Sequence, residues 1–449
     1  MGKLFGTDGI RGIANEYPMT AGMALNIGKA TAHLFKRKGH TPQIIVGKDT
    51  RISGYMLENA LVSGICSMGV NAILVGPMPT PGIAFLTRSM RADAGIVISA
   101  SHNPFQDNGI KIFSDKGFKL PDEKELEIED LIFSNNMHTL QPSPRELGKA
   151  YRIDDARGRY IVFLKNTFPG EFTLEGTKII LDCSNGATYR VAPATFSELG
   201  AHVTSLFAEP NGENINDNCG SQHPEMLAEE VVKRKADVGV AFDGDGDRLI
   251  AVDEKGSILT GDQILAICAN VMKKEGTLTN NVVVSTVMSN IGLALTLKKL
   301  DIEQAVTGVG DRYVLEEMRA RNASIGGEDS GHLIFLRHHT TGDGIISALQ
   351  LMAAIQKEQK PLSQLAKIIK VFPQKLINID VRTKPDLSTV PEIVNVIKIA
   401  EERLGNKGRV LVRYSGTQNM CRVMVEGPTG EETEKYCEQI ADVVREKLT

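Results

Sequence analysis

The sequence predicts an α/β fold of three consecutive domains with mixed or parallel sheets, followed by a smaller C-terminal α+β domain. Short, continuously apolar segments such as 94–98 and 238–242 alternate with segments of helical period. Continuously apolar strands between helices are typical of sheets that are covered on both faces. Beyond residue 370 the order changes to strand, helix, two strands and a terminal helix. We therefore predict domains over residues 1–150, 151–248, 249–370 and 371–449.

The individual elements follow from the spacing of apolar residues. Met23, Ile27, Ala30 and Leu34 recur at helical spacing, and Thr20 before them is a suitable N-cap. The same reasoning predicts further helices over 57–68, 191–199 and 392–404 and at the C-terminus. Strands are predicted over 44–46, 72–75, 94–98, 178–181, 238–242, 282–285, 302–306, 376–381, 410–412 and 422–425. The polar stretch 135–144, with two prolines, is predicted to be a linker.

Composition excludes several classes of protein. The chain has 449 residues, of which 42% are hydrophobic and 24% charged, as in ordinary globular proteins. A net charge of −4 gives no reason to expect nucleic acid or an anionic membrane as a partner. No signal peptide or membrane-length apolar segment is visible, and the six cysteines form no Cys-x-x-Cys pair. We expect a cytoplasmic protein with reduced thiols.

Three carboxylates alternate with glycines in the loop after segment 238–242. Asp243, Asp245 and Asp247 would repel one another unless a cation held them together, and their oxygens suit Mg²⁺ or Ca²⁺. An EF-hand is excluded because Arg248 stands where that loop requires glycine, and because the flanking segments are predicted strands. A solvated acidic turn is the simpler alternative, and the metal site is favoured.

A serine follows the buried segment 94–98. Ser101, with His102 beside it and Lys111 downstream, could act as a nucleophile at the edge of the sheet. No hydrolase signature surrounds the serine, so an acyl-transfer triad is not supported. Taken alone, the serine and histidine could equally serve a turn or a helix cap, and Lys111 could be a surface lysine.

Other polar loops could bind a phosphorylated ligand. The turn that holds Arg413, Ser415 and Gly416, with Thr417 and Arg422 after it, is rich in the donors that bind a phosphate dianion. An ordinary strand-to-strand turn is the alternative for that segment, and Arg11 raises the same question. The acceptors of Glu328 and Ser330 could hold sugar hydroxyls or stabilise their own turn. Together these parts suit phosphoryl transfer on a phosphorylated polyol.

Five ordered motifs identify a resemblance that covers the whole chain. They are Gly6-Thr7-Asp8-Gly9-Ile10-Arg11, Ser99-Ala100-Ser101-His102-Asn103-Pro104, Asp243-Gly-Asp-Gly-Asp-Arg248, Gly327-Glu328-Asp329-Ser330-Gly331-His332 and Arg413-Tyr-Ser-Gly-Thr417. With them the chain resembles the α-D-phosphohexomutases. The opening motif and the run Thr340-Thr341-Gly342-Asp343-Gly344 favour the branch of bacterial phosphoglucosamine mutases.

The resemblance implies an enzyme of four domains around a central cleft, most often a homodimer, that interconverts glucosamine 6-phosphate and glucosamine 1-phosphate. Ser101 would be a phosphoserine, and a hexose 1,6-bisphosphate would be the intermediate and activator. Mg²⁺ would be held by Ser101, Asp243, Asp245 and Asp247. The implied catalytic residues are Ser101, His102, Lys111 as general base, Arg248, His332 and Arg11. The implied substrate-binding residues are Glu328, Ser330, Arg413, Ser415, Gly416, Thr417 and Arg422.

Two departures from the family pattern stand out. Asp329 occupies a position where glutamine is usual in the phosphoglucosamine branch, and we hypothesise that it suits the ammonium group of the sugar. Gln418-Asn419 replaces the usual Glu-Pro in the phosphate turn. Three alternatives remain: a phosphomannomutase or phosphoglucomutase of the same superfamily, a magnesium-dependent sugar phosphatase, and a non-catalytic sugar-phosphate sensor, which leaves Ser101 without a purpose.

Overall fold

The computed structural model describes residues 4–6, 8–36, 41–134, 136–415 and 419–449. The chain divides into two compact units. The first comprises Met1–Val287 and Ala305–Ala366, and the second comprises Met288–Gln304 and Lys367–Thr449. Each unit is built from strands and helices in the order of the chain.

The first sheet of the first unit has six strands in the order β1-β5-β4-β2-β3-β6. Strands β2, β3, β4 and β6 run parallel, and β5 runs antiparallel to both β4 and β1. The elements are β1 (Ile10–Ile13), α1 (Ala21–Phe35), β2 (Gln43–Lys48), α2 (Ser53–Ser67), β3 (Asn71–Pro77), α3 (Thr80–Ser89), β4 (Ala94–Ile98), β5 (Asp107–Ser114), α4 (Asp122–Phe133) and β6 (Ala150–Arg152).

The second sheet has the order β11-β10-β9-β7-β8. Strand β7 is parallel to β8 and β9, and the hairpin from β9 to β10 is antiparallel. The elements are α5 (Ala156–Lys165), β7 (Lys178–Asp182), α6 (Val191–Glu198), β8 (His202–Leu206), α7 (Glu225–Arg234), β9 (Val238–Phe242), β10 (Leu249–Asp253) and β11 (Ile258–Leu259).

The third sheet has the order β13-β12-β14-β15, with β12 parallel to β14 and β14 antiparallel to β15. The elements of this part of the chain are α8 (Gly261–Lys274), β12 (Val282–Thr286), α9 (Ile291–Lys299), β13 (Glu303–Thr307), α10 (Asp311–Arg321), β14 (Ile325–Gly327), β15 (Leu333–Phe335), α11 (Gly344–Glu358) and α12 (Leu362–Leu365). Helix α9 belongs to the second compact unit.

The rest of the second unit is a three-stranded antiparallel sheet with two helices. Its strand order is β16-β18-β17, and its elements are β16 (Gln374–Asp380), α13 (Pro391–Leu404), β17 (Arg409–Tyr414), β18 (Met420–Glu426) and α14 (Gly430–Leu448). The buried core of this sheet includes Ile393, Val423 and Ile440. A carboxylate, Glu426, is also fully buried there, where it accepts from Ile291 N at 3.0 Å.

The predicted fold class is confirmed, and so is the N-cap of α1, where Thr20 Oγ1 accepts from Met23 N at 3.2 Å. The apolar pattern left several elements unpredicted, among them strands β1, β5 and β8 and helices α7 to α11. Strand β5 contains the polar residues Asp107, Asn108 and Lys111, which in the sequence alone are typical of a loop. In the structure Asn108 and Lys111 are buried. Within the described residues, no helix is both long and apolar enough to cross a membrane, and all six cysteines are free thiols.

Candidate active site

The polar loops that follow three buried strands supply most of the site in the first unit. Strand β4 leads into Ser101, β9 leads into Asp243, and β14 leads into Glu328. Each of these strands is buried along its whole length, so the polar residues that follow it lie at the edge of the sheet. The same local pattern therefore places the serine predicted to be the nucleophile, a carboxylate cluster and a polar turn.

The three aspartates are brought together as the sequence predicts. One oxygen from each of Asp243, Asp245 and Asp247 lies within 4.8 Å of the others, and the side chains are almost fully buried. Asp245 Oδ2 accepts from Thr80 Oγ1 at 2.7 Å. Burial and the charges of Asp245 and Asp247 raise the pKa of Asp243 well above its ordinary value.

The carboxylate cluster fits a hard divalent cation. The Oδ1 atoms of Asp245 and Asp247 are buried and have no hydrogen-bond partner among the described residues. Burying charged oxygens without hydrogen-bond partners costs free energy, which a cation among them would recover. Three carboxylate oxygens are the ligand type that Mg²⁺ prefers. The residues present therefore fit the predicted metal site.

Ser101 lies directly against this cluster. Its hydroxyl donates to Asp243 Oδ2 at 2.5 Å, and its Oγ lies 3.3 Å from His102 Nδ1. Burial, with the positive charges of Arg248 and Arg11 nearby, lowers the pKa of His102 to about 4. The imidazole is therefore neutral at pH 7. Arg11 reaches the same loop, because its Nη1 lies 3.4 Å from Asn103 Oδ1.

Lys111 is a buried ammonium group surrounded by carboxylates. It is 2% exposed, and its Nζ lies 2.9 Å from Asp245, 3.1 Å from Asp8 and 3.6 Å from Asp247. Burial alone would lower the pKa of Lys111, but the three carboxylates outweigh it and raise that pKa. The surface alternative for this lysine is wrong. The side chain brings positive charge into the centre of the site.

His332 and Arg248 complete the polar group around the aspartates. His332 Nδ1 lies 3.6 Å from Asp247 Oδ1, and its Nε2 lies 3.7 Å from Asp311 Oδ2. Burial opposes the charged imidazole, but Asp247 and Asp311 raise the pKa of His332 to about 8. Arg248 N donates to Asp243 Oδ1 at 3.2 Å. Burial lowers the pKa of this guanidinium, and Asp243 and Asp247 raise it by more.

The Glu328 turn has side-chain partners of its own. Glu328 Oε1 accepts from Gly310 N at 3.1 Å, while Ser330 is exposed. Asp329 is partly buried, and its Oδ1 accepts from Asp262 N at 3.4 Å, at the start of α8. An acidic side chain in this place suits the positive end of a helix. The departure from the usual glutamine therefore has a structural use within the turn.

The run from Thr340 to Gly344 packs against the His332 ring at Gly342. A side chain at Gly342 would place its Cβ 2.4 Å from His332 Nε2, so only glycine lets the ring occupy this position. Asp343 Oδ1 accepts from Ile345 N at 2.9 Å and caps α11, and its Oδ2 accepts from Tyr160 Oη at 2.6 Å. This motif, which favoured one branch of the superfamily, packs against a predicted catalytic residue.

The second unit carries the predicted phosphate-binding residues. Arg413 and Arg422 are paired across β17 and β18, and Ser415 N donates to Met420 O at 2.8 Å. Burial and the charge of Arg422 lower the pKa of Arg413, as expected for two guanidinium groups placed together without an anion. The predicted residues Gly416 and Thr417 lie outside the described residues.

Three charged residues of this polar cluster were not predicted as part of the site. Lys119 Nζ forms ion pairs with Asp8 and with Asp311, 192 positions further along the chain. The structure also places Asp8 beside Lys111, although the opening motif had suggested only its arginine. No local pattern marks Lys119 or Asp311, because their significance depends on a contact between distant segments.

Comparison with known proteins identifies the family to which the chain belongs. Residues 2–139, 159–256 and 260–372 match alpha/beta/alpha domains I, II and III of phosphoglucomutase/phosphomannomutase, and residues 376–443 match its C-terminal domain. The chain is 76% identical to a phosphoglucosamine mutase of Syntrophus aciditrophicus over 448 residues, which cover 100% of both chains. It is 62% identical to one of Syntrophobacter fumaroxidans, covering 99% of both.

Solved structures share the fold at lower identity. A phosphoglucomutase/phosphomannomutase family protein from Burkholderia thailandensis has a TM-score of 0.80 at 22% identity, covering 99% of this chain and 97% of that one. The Aspergillus fumigatus N-acetylphosphoglucosamine mutase, in complex with GlcNAc-6P and magnesium, has a TM-score of 0.68 at 16% identity, covering 99% and 96%. The chain belongs to the phosphoglucomutase/phosphomannomutase family, and within it is similar to the phosphoglucosamine mutases.

Proposed function

We propose that the protein interconverts glucosamine 6-phosphate and glucosamine 1-phosphate through a phosphoserine at Ser101 and a 1,6-bisphosphate intermediate. The observation that carries this proposal is the position of the Ser101 hydroxyl, 2.5 Å from Asp243 Oδ2 in a buried carboxylate cluster that also contacts Lys111. The similarity to phosphoglucosamine mutases along their full length supports the choice of sugar.

Asp243, Asp245 and Asp247, with an oxygen of the phosphorylated Ser101, would hold a Mg²⁺ ion. Bound there, the ion supplies positive charge that offsets the charge of the transferring phosphoryl group. The buried Oδ1 atoms of Asp245 and Asp247, which have no hydrogen-bond partner among the described residues, support this assignment. The Aspergillus fumigatus complex, which shares the fold, contains magnesium together with its sugar phosphate.

The chemistry consists of two phosphoryl transfers. In the first, the bond between phosphorus and Ser101 Oγ breaks, a bond from phosphorus to sugar O1 forms, and the proton lost by O1 is balanced by the proton that Ser101 Oγ gains. The bisphosphate then turns around. In the second transfer the bond between phosphorus and O6 breaks, a bond from phosphorus to Ser101 Oγ forms, and O6 gains a proton while Ser101 Oγ loses one. We assign this exchange to Lys111, whose ammonium group would give its proton to the departing oxygen and, as the amine, take one from the attacking oxygen. His332, Arg248, His102 and Arg11 would supply polar groups at the reacting end. Such transfers depend mainly on in-line positioning and charge neutralisation.

The ends of the substrate are assigned to different loops. Glu328 and Ser330 would hold sugar hydroxyls. Arg413, Ser415 and Arg422, with Gly416 and Thr417, would bind the phosphate that does not react, because paired guanidinium groups bind a phosphate dianion well. Either end of the bisphosphate can occupy the same phosphate site, so one set of residues serves both transfers.

Several finer points remain part of the proposal. Asp329 would favour an ammonium group on the sugar, and the product would enter the synthesis of amino-sugar nucleotides for the cell wall. A homodimeric state and a cytoplasmic location stay predictions. A preference for mannose or glucose phosphate, or release of free phosphate by a phosphatase reaction, are the alternatives that the experiments below distinguish.

The phosphoserine is tested by incubating the protein with Mg²⁺ and glucose 1,6-bisphosphate and locating the phosphoryl group by peptide mass spectrometry. We expect the modification on Ser101, and we expect turnover to be lost in Ser101→Ala. Ser134→Ala is the matched control, because that serine is exposed and donates within its own helix end. Phosphorylation at another residue, or full turnover in Ser101→Ala, would contradict the proposal.

A further inference from the structure

The backbone of Ser101 adopts a conformation that needs support. Its φ is +53°, in the left-handed region that residues other than glycine rarely occupy. Strained conformations of this kind persist only where the surrounding structure fixes them. The Ser101 amide donates to Ser99 Oγ at 3.0 Å, and Ser99 Oγ in turn donates to Asp49 Oδ2 at 2.5 Å. The carbonyl on the other side of Ser101 has different partners.

Arg51 is one of those partners. It is fully buried, lies between β2 and α2, and forms an ion pair with Asp49. Its Nη2 donates to Ser101 O at 3.3 Å and to Asn103 O at 2.5 Å. The Arg51 guanidinium contacts the carbonyls of Ser101 and Asn103, and it also pairs with Asp49, which accepts from Ser99. One side chain therefore links the backbone before and after Ser101. Arginine suits this place because its planar fork fixes several acceptors at once.

Asn216 is the second partner and comes from the loop between β8 and α7. Its Nδ2 donates to Ser101 O and to Asn103 O, both at 2.9 Å. The metal-loop residue Gly244 packs against the same pair, since a Cβ there would lie 2.6 Å from Ser101 O and 2.8 Å from Asn216 Nδ2. The serine loop is thus joined to two segments that lie far away in the sequence.

We propose that Arg51 and Asn216 are positioning residues, which fix the Ser101 backbone in its left-handed conformation and thereby aim its Oγ at the reacting phosphoryl group. Each contacts the carbonyl of Ser101, whereas the Ser101 hydroxyl lies toward Asp243. A small displacement of a reacting atom costs catalysis without weakening binding. The inference rests on the proposed role of Ser101 as phosphoryl carrier.

The test uses Asn216→Gly in the full chain, with Asn218→Gly as its control. Both asparagines have positive φ, +57° and +50°, so glycine fits both backbones. Asn218 is exposed and donates to its neighbour Asp217. In Asn216→Gly we expect kcat to fall about 10- to 100-fold at an unchanged KM. We also expect faster amide hydrogen exchange in peptides that cover 99–104. Arg51→Lys, which keeps the charge and loses the fork, should behave in the same way.

Two results would overturn the inference. The first is a kcat for Asn216→Gly equal to that of Asn218→Gly, and the second is a raised KM with unchanged exchange over 99–104. If the wild-type protein shows no mutase activity, the proposed function fails. Hydrogen exchange then still tests the positioning role of Asn216, because equal exchange over 99–104 in the two glycine variants would show that Asn216 does not hold the loop.

Discussion

Replacing Lys111 by methionine should destabilise the metal-free protein strongly. The variant removes one buried positive charge from among Asp8, Asp245 and Asp247, whose oxygens lie 2.9–3.6 Å from Nζ. At an effective dielectric constant of 20, each such pair is worth about 5 kcal/mol, and much of this is offset by desolvation of the ammonium group. Breaking a buried ion pair on one side typically costs about 3–5 kcal/mol, which we expect here.

Magnesium should recover part of that loss, because a dication among the aspartates replaces the missing positive charge. The assay is urea unfolding of wild type and Lys111→Met, once in EDTA and once in excess Mg²⁺. Lys124→Met is the control, since Lys124 is exposed in an ion pair with Glu127 worth less than about 1 kcal/mol. The reasoning is wrong if Lys111→Met costs no more than Lys124→Met in EDTA, or if Mg²⁺ leaves the difference unchanged.

Three further predictions concern other parts of the chain. Burial raises the pKa of Asp182 to about 6, above its value near 4 in the unfolded chain, so the folded state binds the extra proton. The free energy of unfolding of wild type relative to Asp182→Asn should therefore fall by about 2 kcal/mol between pH 4 and pH 7, as measured by urea unfolding, and a difference independent of pH would contradict this. Arg413→Ala should raise KM for the sugar phosphates about 10- to 100-fold, whereas exposed Arg403→Ala should not, and equal KM values would remove Arg413 from the phosphate site. Asp329→Gln should lower the preference for glucosamine over glucose 6-phosphate in kcat/KM, and unchanged affinity and preference would show that Asp329 has no role in sugar choice.

The residues that sequence reasoning found share one property. Ser101 and the aspartates follow continuously apolar strands, so the local pattern marks both the strand and the place where it ends. The resemblance of the five ordered motifs to those of the α-D-phosphohexomutases then predicted that these residues form one site. The apolar pattern likewise predicted most of the strands, because burial on both faces of a sheet requires it, but it predicted only some of the helices.

The residues that were missed depend on contacts that no local pattern contains. Arg51 is an example, because it is a fully buried arginine whose partners include the backbone carbonyls of Ser101 and Asn103. Every residue has a backbone carbonyl, so the sequence does not show which carbonyls accept from a buried arginine. Strand β5 was missed for a related reason, since its buried polar residues are compensated by partners from other segments, such as Asp245 for Lys111.

The most direct test of the proposed function compares kcat/KM for glucosamine, glucose and mannose 6-phosphates, with Mg²⁺ and a trace of hexose 1,6-bisphosphate, following the products by ³¹P NMR. We predict that glucosamine 1-phosphate forms fastest by a wide margin. Faster conversion of glucose or mannose phosphate would contradict the choice of sugar while leaving the phosphoserine chemistry in place. Accumulation of inorganic phosphate alone would contradict the mutase reaction itself.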